Sequence, residues 1–185
     1  RIERYALILK DLQNNPKQCS SNLFLNDEEK QSFKELLDGN IYNKLTSIRR
    51  NYLILRLDAM ISDGAANYNN ESGLLTIEHV LPQTIDEGSQ WKQWWVDKDG
   101  NDTLHQTWLH RLANLVPLNK RRNSAASNWK FKTKKEKYFS GNDSVSSYAL
   151  TSQVLKENEW TPEIVKNRQK ELLESIYKNW SLSHL

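Results

Sequence analysis

TIEHVLPQT, residues 76–84, and HRLANLVPLNKRRNSAASNWKF, residues 110–131, decide how this chain is read. The first overlaps a short apolar run, LLTIEH at 74–79, which predicts a strand. The second contains LANLVPL at 112–118, which predicts another, and a basic helical region follows from about 121 to 139. Adjacent strand side chains point to opposite faces, so Glu78 and His79 need not serve one role together. Asn114 falls on the second strand and Asn123 in the first turns of the basic helix.

Working outward, helical patterns fill about 2–12, about 27–38 after a capping Asn26, and about 40–63. In the last, Ile41, Leu45, Ile48, Tyr52, Leu55 and Met60 recur near helical spacing, which predicts a core helix stopped by Gly64. Residues 64–73 read as a loop. Between 85 and 102 acids alternate with tryptophans, predicting a long excursion with one short helix; Trp91, Trp94 and Trp95 read as a packing face in preference to a base-stacking one. After SGNDS come helices at about 145–157 and 162–181. The second is signalled by Thr161 as cap, Pro162 in the first turn and an apolar stripe from Ile164 to Trp180.

The expected class is therefore mostly α (α+β), a single domain over 1–185. Helices occupy 1–73, a strand–strand–helix core with an insertion 74–139, and further helices 140–185. The chain of 185 residues suffices for a core without staples, since a domain of this size buries roughly 70% of its unfolded surface. A lone Cys19 excludes an internal disulfide and any Cys-rich zinc module, which fits a reducing compartment, so a cytoplasmic location is expected. No apolar run approaches the roughly 18 residues of a spanning helix, so no membrane partner is expected. The chain opens at Arg1 with helical pattern already running, as expected of a piece of a longer protein.

The formal charge of +3 is unevenly spread. Residues 119–137 carry Lys120, Arg121, Arg122, Lys130, Lys132, Lys134, Lys135 and Lys137 against Glu136 alone. Such a stripe is an electrostatic footprint for a polyanion, because each phosphate contact releases condensed counterions; a solvated helix face is the plainer alternative.

Glu-His, then Asn, then Asn nine residues later, on strand, strand and helix, resembles the HNH (His-Me finger) nucleases. The VLPQ after the His and NKRRNSAASN before a Lys-rich helix resemble the HNH domain of the large CRISPR effector nucleases. A longer likeness takes in NYLILRLD, the W-T-P helix with Arg168, and FKTKKEKY. Over about 40–181 the chain resembles the C-terminal nuclease domain of GmrSD-type modification-dependent (type IV) restriction enzymes and the SspE-like defence proteins.

The resemblance implies a ββα-metal core and DNA as substrate. It makes His79 the general base and Glu78 and Asn123 ligands of one divalent metal. Asn114 would steady the loop and the His79 orientation without touching the metal. Oxygen ligands of this kind suit Mg²⁺ or Mn²⁺. Lys120, Arg121 and Arg122 would bind flanking phosphates, with Lys130, Lys132 and Lys134 extending the DNA-binding face. It also implies an N-terminal ParB-like, nucleotide-binding sensor in the full-length protein, and a dimer or second site for any double-strand cut.

Relatives carry Gly where this chain has Ala113, so a positive φ there would strain the turn. Asn119 and Asn128 rank below Asn123 as third ligand. His105 and His110 read as capping or core histidines, with a second-metal or proton-shuttle role as the alternative. Two other functions stay open: a catalytically silent DNA-binding module, and a zinc hydrolase using His79, His105 and His110, which lacks any HExxH spacing.

Overall fold

The computed structural model describes residues 2–62, 75–119, 129–136 and 148–182. The chain divides into two compact units, one up to Glu35 and one from Leu36 onward. The first holds helix α1 (Ile2–Asn14), a 3-10 turn at Ser21–Leu23, and most of α2 (Asp27–Leu37). Arg4 ties it together: its guanidinium reaches Glu29 Oε1 at 2.5 Å and the carbonyl oxygens of Asn22 and Phe24. Asn26 and Glu29 cap α2 reciprocally. Asn26 Oδ1 accepts the Glu29 N–H at 2.8 Å, and Glu29 Oε2 accepts the Asn26 N–H at 2.9 Å.

In the second unit, α3 (Ile41–Lys44) and α4 (Ser47–Ile61) lead to strand β1 (Leu75–His79). Helices α5 (Gln90–Trp95) and α6 (Thr103–Leu109) and a 3-10 turn at Leu112–Asn114 bring the chain back to β2 (Leu115–Asn119). Then come α7 (Phe131–Lys134), α8 (Ala149–Lys156) and α9 (Pro162–Asn179). The strands form a two-stranded antiparallel sheet running from Leu75 opposite Asn119 to His79 opposite Leu115. The class is mostly α with this small sheet, as the sequence predicts.

Local differences have physical causes. The helix expected over 40–63 is broken at Leu45, where Thr46 takes extended backbone and its Oγ1 accepts the Arg49 N–H at 3.5 Å to start a new helix. The break shifts the phase, so α4 buries Leu53, Ile54 and Leu57 while Ile48 and Tyr52 stay 81% and 62% exposed. Beyond the excursion and its one expected helix, α5, a further helix, α6, occupies Thr103–Leu109 where none was expected. The first half of the predicted second strand, 112–114, is a 3-10 turn.

The core gathers Val80 and Leu81 after β1, Val116 and Leu118 of β2, Trp91 and Trp95 of α5, Phe131, Val154, Trp160 and Val165. Trp91 and Trp95 of α5 are packing residues, and their N–H groups are satisfied inside: Trp91 Nε1 donates to Trp129 O at 3.0 Å and Trp95 Nε1 to Trp160 O at 2.8 Å. The excursion is thus pinned to the chain at Trp129 and Trp160 and shares a core with the hairpin it interrupts. Asp58 of α4 accepts the Leu150 N–H at 2.8 Å and so caps α8 from across the core; burial raises its pKa, opposed by the backbone N–H groups of Leu150 and Ala149.

Candidate functional site

Strand alternation sends Glu78 and His79 to different surroundings. Glu78 Oε1 accepts from Lys134 Nζ at 3.1 Å, and the same ammonium donates to the His79 carbonyl at 2.9 Å. Phe131 and Lys134 stand one turn apart on α7 and share its inner face, whereas Lys130 and Lys132 are exposed. Lys134 is only 1% exposed, which corrects the expectation that it lies with the phosphate-facing cations. Burial pulls its pKa down and the Glu78 charge opposes that fall.

His79, 4% exposed, meets a different set of groups. Its Nε2 is 3.0 Å from His110 Nδ1, and the Gln83 amide nitrogen is 3.4 Å from its Nδ1. Tyr42 of α3 packs edge-on against it with ring centroids 4.4 Å apart, and the Arg50 guanidinium lies over the Tyr42 ring, 3.9 Å from its centroid. Burial above all, then the charges of His110, Lys134 and Arg50, push the His79 pKa down to about 3. The imidazole is neutral at physiological pH and offers a lone pair. A phosphodiester brought beside it would favour the protonated form and so raise its basicity.

The turn that presents His79 is held from beneath. Asn114, fully buried, takes the Leu81 N–H at 2.7 Å and the Trp160 indole N–H at 3.1 Å on Oδ1. Its Nδ2 donates to Leu109 O at 2.8 Å and Leu81 O at 3.2 Å, so both amide atoms are engaged twice. His105 Nε2 is 2.8 Å from the Pro82 carbonyl, bracing the same VLPQ turn. Ala113 is not strained: among the described residues Ser181 is the one non-glycine with positive φ. The Ala113 N–H donates to Gln169 Oε1 at 2.8 Å and its carbonyl accepts from Arg168 Nε at 3.1 Å.

Asn123, Lys120, Arg121 and Arg122 lie outside the described residues. Among the described residues no group of three or more His, Cys, Asp and Glu side chains gathers to hold an ion. His105 is engaged by Pro82 and does not join His79 and His110 in a three-histidine site. Glu78 offers a hard carboxylate oxygen at a strand end, and an ion that keeps most of its waters, as Mg²⁺ does, needs few protein ligands of that kind. The donor chemistry fits such an ion.

Lys134 as the partner of Glu78, and Tyr42 and Arg50 around His79, had no local sequence signal; each is joined to the strand end only through the tertiary fold. Residues 27–175 match the family described as GmrSD restriction endonucleases, C-terminal domain. No curated protein matches the chain.

Proposed function

The chain belongs to the C-terminal domain family of the GmrSD restriction endonucleases, defence nucleases with DNA as substrate, and on that premise we propose that it cuts DNA by the HNH (His-Me finger) mechanism. One observation carries the reading: a neutral, sequestered His79 stands beside a hard carboxylate, Glu78, on the strand end that Asn114 supports. His79 acts as general base. It takes a proton from water as the water oxygen bonds to phosphorus and the opposite P–O bond breaks. Glu78 and Asn123 hold Mg²⁺ or Mn²⁺, which when bound supplies positive charge for the leaving oxygen. Asn114 is a positioning residue, since its contacts are with the turn, and Lys130 and Lys132 meet phosphates with Lys120, Arg121 and Arg122.

In this reading the domain is the effector of a modification-dependent antiphage protein whose ParB-like, nucleotide-binding N-terminal domain senses the DNA. One such site cuts one strand, so a double-strand break takes a dimer or a second site.

The test is incubation of wild-type and His79→Ala protein with supercoiled plasmid in Mg²⁺, Mn²⁺ or EDTA. Metal-dependent nicking by the wild type, lost in the variant with DNA binding intact, is the expected result. Equal nicking by the two overturns the mechanism. Salt-sensitive binding without cleavage in the full-length protein would instead make this a silent DNA-binding module.

A further inference from the structure

The contacts around the His79 ring favour one tautomer. An amide nitrogen only donates, so Gln83 Nε2, 3.4 Å away, makes His79 Nδ1 an acceptor with a lone pair. A neutral imidazole with its lone pair on Nδ1 carries its hydrogen on Nε2. That N–H faces His110 Nδ1 at 3.0 Å, which must then accept, leaving the His110 proton on its own Nε2. The chain of donation runs from Gln83 to His79 to His110.

His110 is itself held to this task. Its backbone N–H closes the end of α6 on Trp108 O and its carbonyl accepts the Tyr42 N–H at 3.2 Å. Tyr42 also stacks on the His110 ring, with centroids 5.5 Å apart and planes at 15°. Helix capping uses the backbone of His110; its side chain is directed to His79.

We propose that His110 is a positioning residue: its Nδ1 fixes His79 as the Nε2–H tautomer and turns the Nδ1 lone pair toward the exposed Gln83, whose long 3.4 Å contact the attacking water replaces, making Nδ1 the nitrogen that receives the proton from water. The inference rests on His79 being the base. A base held in the wrong tautomer presents an N–H where a lone pair is required, and losses on disturbing such a partner run from about 10-fold to about 10⁴-fold.

The experiment pairs His110→Leu, which removes the acceptor, with His110→Asn, whose Oδ1 replaces Nδ1. Side-chain nitrogen NMR on metal-free protein reads the His79 tautomer directly, plasmid nicking in Mg²⁺ reads turnover, and DNA binding in EDTA reads the fold. The expected result is the Nε2–H form in wild type and His110→Asn, with nicking within about 10-fold. His110→Leu should show a mixed tautomer, nicking reduced by more than that factor, and DNA binding unchanged. An Nδ1–H form in the wild type overturns the inference without any variant. So does an unaltered tautomer, or unaltered nicking, in a folded His110→Leu. Nicking that survives His79→Ala overturns the nuclease mechanism instead, and the tautomer measurement separates the two failures.

Discussion

Lys134 Nζ stands 3.1 Å from Glu78 Oε1, and with side chains 2% and 12% exposed the two form the most enclosed ion pair among the described residues. The lysine therefore does for the carboxylate what a bound cation also does: it supplies the opposing charge.

Lys134→Met removes that charge while keeping most of the side-chain volume. Stranding one member of a buried pair costs about 3–5 kcal/mol, so the urea midpoint should fall accordingly. Added Mg²⁺ should then raise the melting temperature of the variant more than that of the wild type, because the ion meets an uncompensated Glu78. Equal Mg²⁺ shifts in the two proteins would remove Glu78 from the metal site.

Asn114→Ala deletes four hydrogen bonds at a fully buried position and strands the Leu81 N–H and the Trp160 indole N–H. At about 1–3 kcal/mol for each stranded group, a loss on the order of 3–5 kcal/mol is expected in chemical denaturation. Asn114→Asp keeps both acceptor contacts and loses both donors, so it should also destabilise. A variant as stable as the wild type would show that the turn is held by other contacts.

The sign of the acid response follows from His79. Its pKa is about 3 when folded against an ordinary 6.5, so below about pH 6.5 the unfolded chain binds a proton that the folded chain refuses. Stability should fall as pH drops from 7 to 5, at up to about 1.4 kcal/mol per unit from this group. His110, also shifted down by burial and by His105, adds to the same slope. Urea midpoints at several pH values should show the slope, and His79→Asn should flatten it.

Exposed Lys130 and Lys132 and buried Lys134 respond differently to salt. Lys130→Ala and Lys132→Ala should each lower the slope of log affinity against log salt by about 0.9 and weaken binding to all sequences alike. Lys134→Met should leave the slope unchanged. Anisotropy with labelled duplex in EDTA distinguishes them.

Both strands, the Asn26 and Thr161 caps and the packing role of Trp91 and Trp95 were legible because each depends on local periodicity or side-chain-to-backbone capping. So were Glu78 and His79 as candidates, since their place at a strand end follows from the run before them. Lys134 was not: lysine is ordinarily solvated, and its burial depends on the face of α7 that Phe131 anchors. The break at Leu45 was hidden because the apolar spacing from Ile41 through Leu45, Ile48 and Tyr52 runs on across Thr46, and with it went the true phase of α4. His110 reads as a capping or core histidine, but its 3.0 Å approach to His79 spans 31 positions that no local pattern relates.

Asn114 reaches forward to Trp160, and Trp160 in turn receives the indole of Trp95. During synthesis, a chain emerged only as far as β2 has Glu78 and His79 in place along the sequence yet lacks the later residues that seat the turn beneath them. The order of emergence therefore delays the seating of this turn until the chain through Trp160 has left the ribosome.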